Sequence, residues 1–474
     1  MGKYSRLFKN SVQILIGGGA SQIVSFLMLP LYTRWLSKEA YGLTDILSVY
    51  SSLLLGLVTF CVADAIFVFP KNSDEPDRKK YFTTGLLGSL VNFAVLALLF
   101  WLLSWLGRAQ GWQNVFFENI WYIYWMIVST FLQTYSQQFA CALDKIKTYS
   151  YTGLVRTLSL ALLSFLLIPG YKVFGYVLAI ILSNLISALY AFAFSRSFRY
   201  FSFRDVDTGR YKEMLRYSIP LIPNAIIWWL VSSLNRPIME KYVGLAAIGI
   251  YAVANKFPTL ISTVFTYFAN SWQISVVEEY GKDGFKSFFN QILKAVVLGL
   301  FGLAWALSVF SKEIIQLMTQ PDFYEAAQYV PALAFAVALS CIGGFMGTIF
   351  VVKKKSKYFF YSSVFGAVAA IVANLIFIPW LGLPGAVLSS FLSFFVIAVS
   401  RMIYAGKFVE YEDLSFYISL FLISVAFIYL LILVQGWYLR LAVSVPVIAL
   451  FYFLNRRALR ADFAMILSQF RKRT

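Results

Sequence analysis

Lys256 in "YAVANKFPTL" and Arg156 in "TGLVRTLSL" are cations set inside apolar runs. A charged side chain at the centre of a membrane helix costs roughly 2.5–3.5 kcal/mol on insertion scales, so such groups face a polar interior and serve it. Their chemistry is anion binding. An ammonium acts as a point charge, and a guanidinium offers a planar fork of donors that matches phosphate oxygens. Asp64 in "CVADAIF" lies at a similar depth to Arg156, so an Arg156–Asp64 ion pair and a ligand site at Arg156 are both open. Lys256 comes about ten residues into its apolar segment, or ~15 Å at helical rise, which is near mid-membrane. Asn255 and Asn270 add polarity to the same segment.

Other chemistries are excluded by composition. The chain has no histidine, which removes His-based acid–base catalysis, Ser-His-Asp triads and His-ligated metals. Cys61, Cys141 and Cys341 fall within or at the ends of apolar runs, at spacings that suggest neither a disulfide nor a metal site. No cofactor is implied, and the chain is expected not to be an enzyme.

The elements that must position these cations are membrane helices. Of 474 residues, 60% are hydrophobic and 13% charged, and the mean hydropathy is +0.73. Apolar segments of about 20 residues separated by short charged loops define an all-α polytopic membrane protein. We read fourteen transmembrane helices, near 11–33, 43–69, 82–106, 115–141, 150–169, 173–195, 215–235, 246–275, 289–310, 326–352, 358–379, 383–405, 413–434 and 437–455. The basic start (Lys3, Arg6, Lys9) leads into a long first span, not into a short cleavable signal.

The net charge of +18 is explained by topology, so no nucleic-acid partner is needed. With the N-terminus in the cytoplasm, thirty of the 40 Lys and Arg fall on the cytoplasmic side and eight on the other, and Arg156 and Lys256 lie within spans. That split is what the positive-inside rule produces, with both termini cytoplasmic.

The chain also repeats itself. A shift of 207 lays "PLYTRWLSKEAYGL" (30–43) on "PIMEKYVGLAAIGI" (237–250), matching Pro30 with Pro237, Arg34 with Lys241 and Gly42 with Gly249. A shift of 210 lays 147–178 on 357–388, matching Pro169 with Pro379 and Gly175 with Gly385. The expected plan is two six-helix lobes, 1–205 and 206–410, followed by two extra helices and a basic cytoplasmic tail in 411–474. Six spans is an even number, so the lobes form a parallel repeat about a pseudo-twofold axis along the membrane normal. Such lobes rock around a site near the midplane. The duplicated Arg34 and Lys241, with Arg236 nearby, lie at outer helix ends. They serve there either as interfacial anchors or as a cationic ring at a cavity mouth.

"PLYTRWLSKEAYG" following a polar first helix resembles the start of polysaccharide-biosynthesis transport proteins. These are the Wzx-type O-antigen and lipid-linked oligosaccharide flippases of the multidrug/oligosaccharidyl-lipid/polysaccharide exporter superfamily, whose plan of two six-helix lobes also fits the whole chain. The resemblance implies a flippase of the bacterial cytoplasmic (inner) membrane working by alternating access. Its cargo would be a polyprenyl-pyrophosphate-linked oligosaccharide, and its energy would come from H⁺, Na⁺ or the membrane potential. Lys256, Arg156, Arg34, Lys241 and Arg236 are then the expected substrate-binding residues, and Asp64 the candidate for ion coupling or an ion pair, in a monomer surrounded by membrane lipids.

Two alternatives stand beside this. A multidrug and toxin extrusion antiporter shares the two-lobe plan, but many carry a carboxylate in the first helix, and "SVQILIGGGASQIVSFLMLPLYT" has none. A polytopic glycosyltransferase or ligase acting on lipid-linked sugar needs catalytic groups in a sizeable outer loop, and the outer loops here are short. The aromatics, 19% of residues, suit interfacial belts better than sugar stacking. The basic segment 196–216 could rest on anionic lipid. The last two helices suit either a lipid-tail groove or a dimer surface.

Overall fold

The computed structural model describes residues 24–112, 114–434 and 436–471. Among them the secondary structure is helical throughout: α1 Leu29–Trp35, α2 Lys38–Thr59, α3 Val62–Val68, α4 Glu75–Gln110, α5 Val115–Glu118, α6 Ile120–Ala142, α7 Ile146–Phe194, α8 Thr208–Ser218 and α9 Ile222–Ser233. The chain continues through α10 Asn235–Tyr242, α11 Leu245–Glu279, α12 Phe285–Val309, α13 Ser311–Met318, α14 Val330–Val352, α15 Ser356–Leu381, α16 Leu383–Ala405, α17 Leu414–Leu433 and α18 Trp437–Arg471.

Helix starts follow local capping chemistry. The Ser37 hydroxyl accepts from the Ala40 N–H at 3.2 Å, opening α2. The Asp74 carboxylate accepts from the Asp77 N–H at 3.0 Å, with proline in the first turn, opening α4. Both satisfy N–H groups that a helix start otherwise leaves unpaired.

Eleven helices among the described residues are long and apolar enough to cross a membrane. One of them, the 49-residue α7, is interrupted at Lys172 (φ 49°, ψ −122°) and so supplies two spans, as expected from "LIPGYK". The 23-residue α6, rich in Tyr and Gln, is a further candidate. The expected first span, 11–33, lies mostly outside the described residues. One expectation needs correction: 43–69 is not a single helix. Phe60 (φ 48°) and Cys61 (φ 55°) are both left-handed and separate α2 from α3. That conformation costs a non-glycine residue roughly 1–2 kcal/mol, so tertiary packing must hold it. Val62, Ala65 and Ile66 of α3 are fully buried beside Ile123 and Ile127 of α6.

The repeat recurs in the backbone. At a shift of 210, α6 (Ile120–Ala142) corresponds to α14 (Val330–Val352), and the start of α7 at Ile146 to that of α15 at Ser356. The turns between them match bond for bond: Asp144 (φ 57°) and Lys354 (φ 53°) are left-handed. The Lys145 N–H donates to Ala140 O at 3.0 Å, as Lys355 does to Phe350 O at 2.8 Å. Lys172 has its counterpart in Gly382 (φ 68°, ψ −131°). After each break a glycine packs against the incoming helix. A Cβ on Gly175 would lie 2.4 Å from Leu167 O, and one on Gly385 2.1 Å from Phe377 O.

The residues group into two compact units, one running to Ala252 and the other beginning at Val253. In the first, Phe82, Phe131, Tyr135 and Phe139 fill the core between α4 and α6. In the second, Trp272 stacks on Phe345 at 4.6 Å and meets Phe288 and Phe289. The first unit also contains the meeting point of the 207-residue repeat. A Cβ on Gly42 would lie 2.0 Å from Leu245 O, and one on Gly249 2.1 Å from Lys38 O. Position 38 shifted by 207 is 245, so the contact is reciprocal.

The segment 196–216 is held on α4 more than the sequence suggests. The Thr83 hydroxyl donates to Tyr200 O at 3.0 Å and accepts from the Ser202 N–H at 3.0 Å. Arg210 pairs with Asp77 and with Glu213, and Met214 is fully buried.

Candidate functional site

Arg34, Arg156, Arg236, Lys241 and Asp64 belong to the first unit and Lys256 to the second. Arg156 is exposed along α7. Its Nε donates to Asn184 Oδ1 at 2.8 Å, and Asn184 in turn donates to Ser129 Oγ at 3.3 Å and Thr130 Oγ1 at 3.0 Å. Asn184 is fully buried, so its amide is a fixed bracket that aims the guanidinium. The two terminal nitrogens of Arg156 make no hydrogen bond among the described residues, which leaves the donor fork available. Of the two alternatives left open at Arg156, the ion pair with Asp64 is absent among those residues. Asp64 is instead exposed on the short α3, which the break at Phe60–Cys61 has turned out of line.

Arg34 is exposed in the last turn of α1. Its counterpart Lys241 is exposed at the end of α10, with Nζ 5.3 Å from the Tyr242 ring. Arg236, one turn earlier, points the other way and is 7% exposed. Its Nε lies 3.3 Å from Asp45 Oδ2, its Nη1 donates to Ser232 O at 2.6 Å, and its guanidinium covers the Tyr251 ring at 4.7 Å. That side chain acts in this structure as an anchor between α10 and α2. Lys256 is half-buried on α11, two residues before Pro258, and its carbonyl accepts from the Thr259 hydroxyl at 2.6 Å.

Lys241 borders a polar cleft of about 620 Å³ between the middle of α2, α5 and the end of α10. Tyr50, Asn114, Glu118, Pro237 and Glu240 also line it. Glu240 Oε1 accepts from the Val115 N–H at 3.2 Å, and its other oxygen accepts from the Tyr50 hydroxyl. The turn read as cationic from its sequence therefore also presents carboxylates.

A second cavity, about 290 Å³, lies within the second unit between α12, α14, α16 and α17. Its walls include Leu293, Val297, Leu339, Phe395 and Phe421 and are almost wholly apolar. The loop leading to α17 is fastened beside it: the buried Lys294 pairs with Asp413, and Lys286 Nζ lies 2.6 Å from Glu410 Oε2. Lys286 holds the exposed Glu410 carboxyl below its usual range.

Arg401 was not anticipated as an intramembrane cation, since its place near the end of an apolar run assigned it to the basic loops. It is 1% exposed. Nε and Nη2 donate to Ser362 and Ser363 at 3.1 and 3.0 Å, Nη1 donates to Gly343 O at 3.0 Å, and Phe359 lies 4.1 Å beneath the guanidinium. The available signal was a pair of adjacent serines on the neighbouring apolar segment. At the 143–147 turn, burial together with Arg196 and Arg199 pushes the Lys145 ammonium pKa down.

Comparison with known proteins agrees with this architecture. Residues 220–376 match the MatE family. A protein of the Lsg locus of Haemophilus influenzae is 22% identical over 271 residues, an alignment spanning 54% of this chain and 62% of that relative. The inward closed lipid II flippase MurJ shares the fold with a TM-score of 0.70 at 14% identity, covering 94% of this chain and all of that one. An inward-facing multidrug resistance MATE transporter of the MOP superfamily superposes with a TM-score of 0.63 at 15% identity, covering 81% of this chain and 94% of that one. The polysaccharide biosynthesis protein family matches residues 7–274, more than half of the chain, and the protein belongs to that family.

Proposed function

We propose that the protein is a flippase that carries a polyprenyl-pyrophosphate-linked oligosaccharide, such as an O-antigen, capsule or exopolysaccharide repeat unit, across a bacterial cytoplasmic membrane. The observation that carries this reading is the bracketed Arg156, a guanidinium fixed by Asn184 with its terminal donors unused, on a helix long enough to span. A presented donor fork suits a phosphate, and its fixed geometry lowers the entropy lost on binding. Membership of the family and the MurJ-like fold support a lipid-linked cargo. In this mechanism Arg34 guides the anion at one mouth, Lys256 near mid-membrane, and Arg156 toward the other mouth, as the lobes 1–205 and 206–410 alternate in access, while Arg236 anchors α10 to α2 and Lys241 lines the cleft beside it. The apolar cavity beside α17 has the chemistry of a prenyl tail. Both termini are cytoplasmic, the protein works as a monomer, no bond of the cargo is broken, and an ion gradient or the membrane potential supplies direction.

The MatE match favours a second reading, export of a cationic drug. The test is transbilayer movement of fluorescent polyprenyl-pyrophosphate oligosaccharide in proteoliposomes, with the sugar and the H⁺ and Na⁺ gradients varied. Protein-dependent movement supports the flippase. Movement of a cationic dye in its place, under a gradient, would establish the antiporter.

A further inference from the structure

We propose that the polar cleft between α2, α5 and α10 is a sugar-binding site that takes neutral or amino sugars and rejects acidic ones. The proposal rests on the lipid-linked oligosaccharide reading above and assigns the cargo's sugar portion a place.

A sugar ring presents several hydroxyls, each both donor and acceptor, so its site must offer both kinds of partner close together. The cleft does so. The Glu118 carboxylate makes no hydrogen bond or ion pair among the described residues and is an acceptor at the wall. Asn114 Oδ1 is occupied by the Phe117 N–H at 2.9 Å, which orients its amide and leaves the NH₂ as a donor. Lys241 supplies an ammonium. Glu240 is held in place by Tyr50 and Val115, and a carboxylate has lone pairs to spare beyond those two bonds. Pro237 and the Tyr50 ring give the apolar patches that a pyranose face covers.

Charge narrows the ligand further. Two carboxylates and one ammonium leave the lining with a net charge of −1, which disfavours pyrophosphate or a uronic acid and favours a neutral ring or a protonated amine. A metal fits poorly, since among the described residues no group of three or more His, Cys, Asp or Glu is placed to hold one. Like charges brought together repel, and the penalty grows as water is excluded. The cleft and the cationic positions thus divide the cargo: sugars here, phosphates at Arg156 and Lys256.

The test uses the purified full-length protein in nanodiscs and saturation-transfer NMR. The probes are methyl glucoside, N,N′-diacetylchitobiose, glucosamine, glucuronate and inorganic pyrophosphate, each at millimolar concentration. Transfer to at least one of the first three is expected, weakened about tenfold by Glu118→Gln, which replaces the charged acceptor with a neutral one, and less by Asn114→Ala, which removes a neutral donor. The thermal midpoint should stay at the wild-type value for Glu118→Gln and fall slightly for Asn114→Ala, which also removes the cap on α5. The proposal is overturned if none of those three receives transfer, if transfer is indifferent to the Glu118→Gln/Asn114→Ala double variant, or if glucuronate or pyrophosphate is the probe that depends on Glu118. Flipping assays on the same preparations separate the two claims. Glycoside binding without cargo movement refutes the flippase and leaves the site standing. Equal movement in wild type and double variant, without glycoside binding, refutes the site alone.

Discussion

Arg156 and Arg401 look alike in the sequence, each a lone guanidinium in an apolar run, and they differ in what holds them. Three of Arg401's nitrogens are bonded to Ser362, Ser363 and Gly343, and the side chain is sealed from solvent. Arg156 uses one nitrogen on Asn184 and is exposed. Their variants should therefore fail differently. Arg401→Ala leaves buried acceptors without donors, and we expect a loss of about 3 kcal/mol, seen as a lower midpoint in thermal unfolding followed by size-exclusion fluorescence. Arg156→Ala should keep its midpoint and lose most flipping, with Arg156→Lys intermediate, since an ammonium supplies charge without the fork. At Lys256 the order is the same: Lys256→Arg keeps part of the transport, and Lys256→Ala and Lys256→Glu abolish it in correctly inserted protein. A normal flipping rate for Lys256→Ala would make that lysine merely structural. That Arg156 sits in apolar surroundings was legible from residue type and spacing, whereas Arg401, near the end of its apolar run, read as a loop cation. Which one is presented was not legible, because Asn184, Ser362 and Ser363 come from other segments of the chain.

Elements were legible where Pro or Gly marks them. "IPGYK" and "IPWLGLPG" announce the breaks at Lys172 and Gly382, because proline removes a donor and, at Gly382, glycine accepts the dihedrals that Lys172 carries at the first break. The break at Phe60–Cys61 has no such marker. It exists because α3 buries Val62, Ala65 and Ile66 against α6, a long-range gain that no local window contains. Clamping of 196–216 onto α4 was hidden for the same reason, since its partners Asp77, Thr83 and Thr84 lie more than a hundred residues away. The paired glycines give a prediction at this scale. Gly42→Ala and Gly249→Ala each force a Cβ to within 2.0–2.1 Å of a carbonyl oxygen on the opposing helix. Backbone cannot swing aside as a side chain does, so each should lower stability by at least ~1–3 kcal/mol. The two midpoint shifts should be similar. A silent Gly249→Ala would show that the close approach is not tight in the membrane.

For the whole molecule, the asymmetry of charge is the most economical guide to orientation. With fourteen spans and cytoplasmic termini, thirty of the 40 Lys and Arg fall on one side, twenty-nine once the buried Arg401 is set apart, which predicts that cysteines introduced at Ser37 and Gln320 react with an impermeant maleimide in intact cells. Those at Ser73 and Ser356 should react only after permeabilisation. Labelling of any of the four from the wrong side would break the alternation of spans. The matching backbone of the 140–175 and 350–385 regions shows why the repeat survives at so little sequence identity. What recurs is a set of dihedrals and glycine contacts, and most side chains around them are free to change.

The meeting of Gly42 with Gly249 has a meaning for symmetry as well. Each touches the other's helix through positions related by one and the same shift, 38 and 245. In an isologous interface a residue on one subunit meets its own copy's neighbourhood on the other. Fold the two repeats back into one gene and these glycines become a single residue, facing itself across a dyad. The contact thus has the symmetry of an isologous dimer seam within one chain, and any side chain at that spot would push the two helices apart.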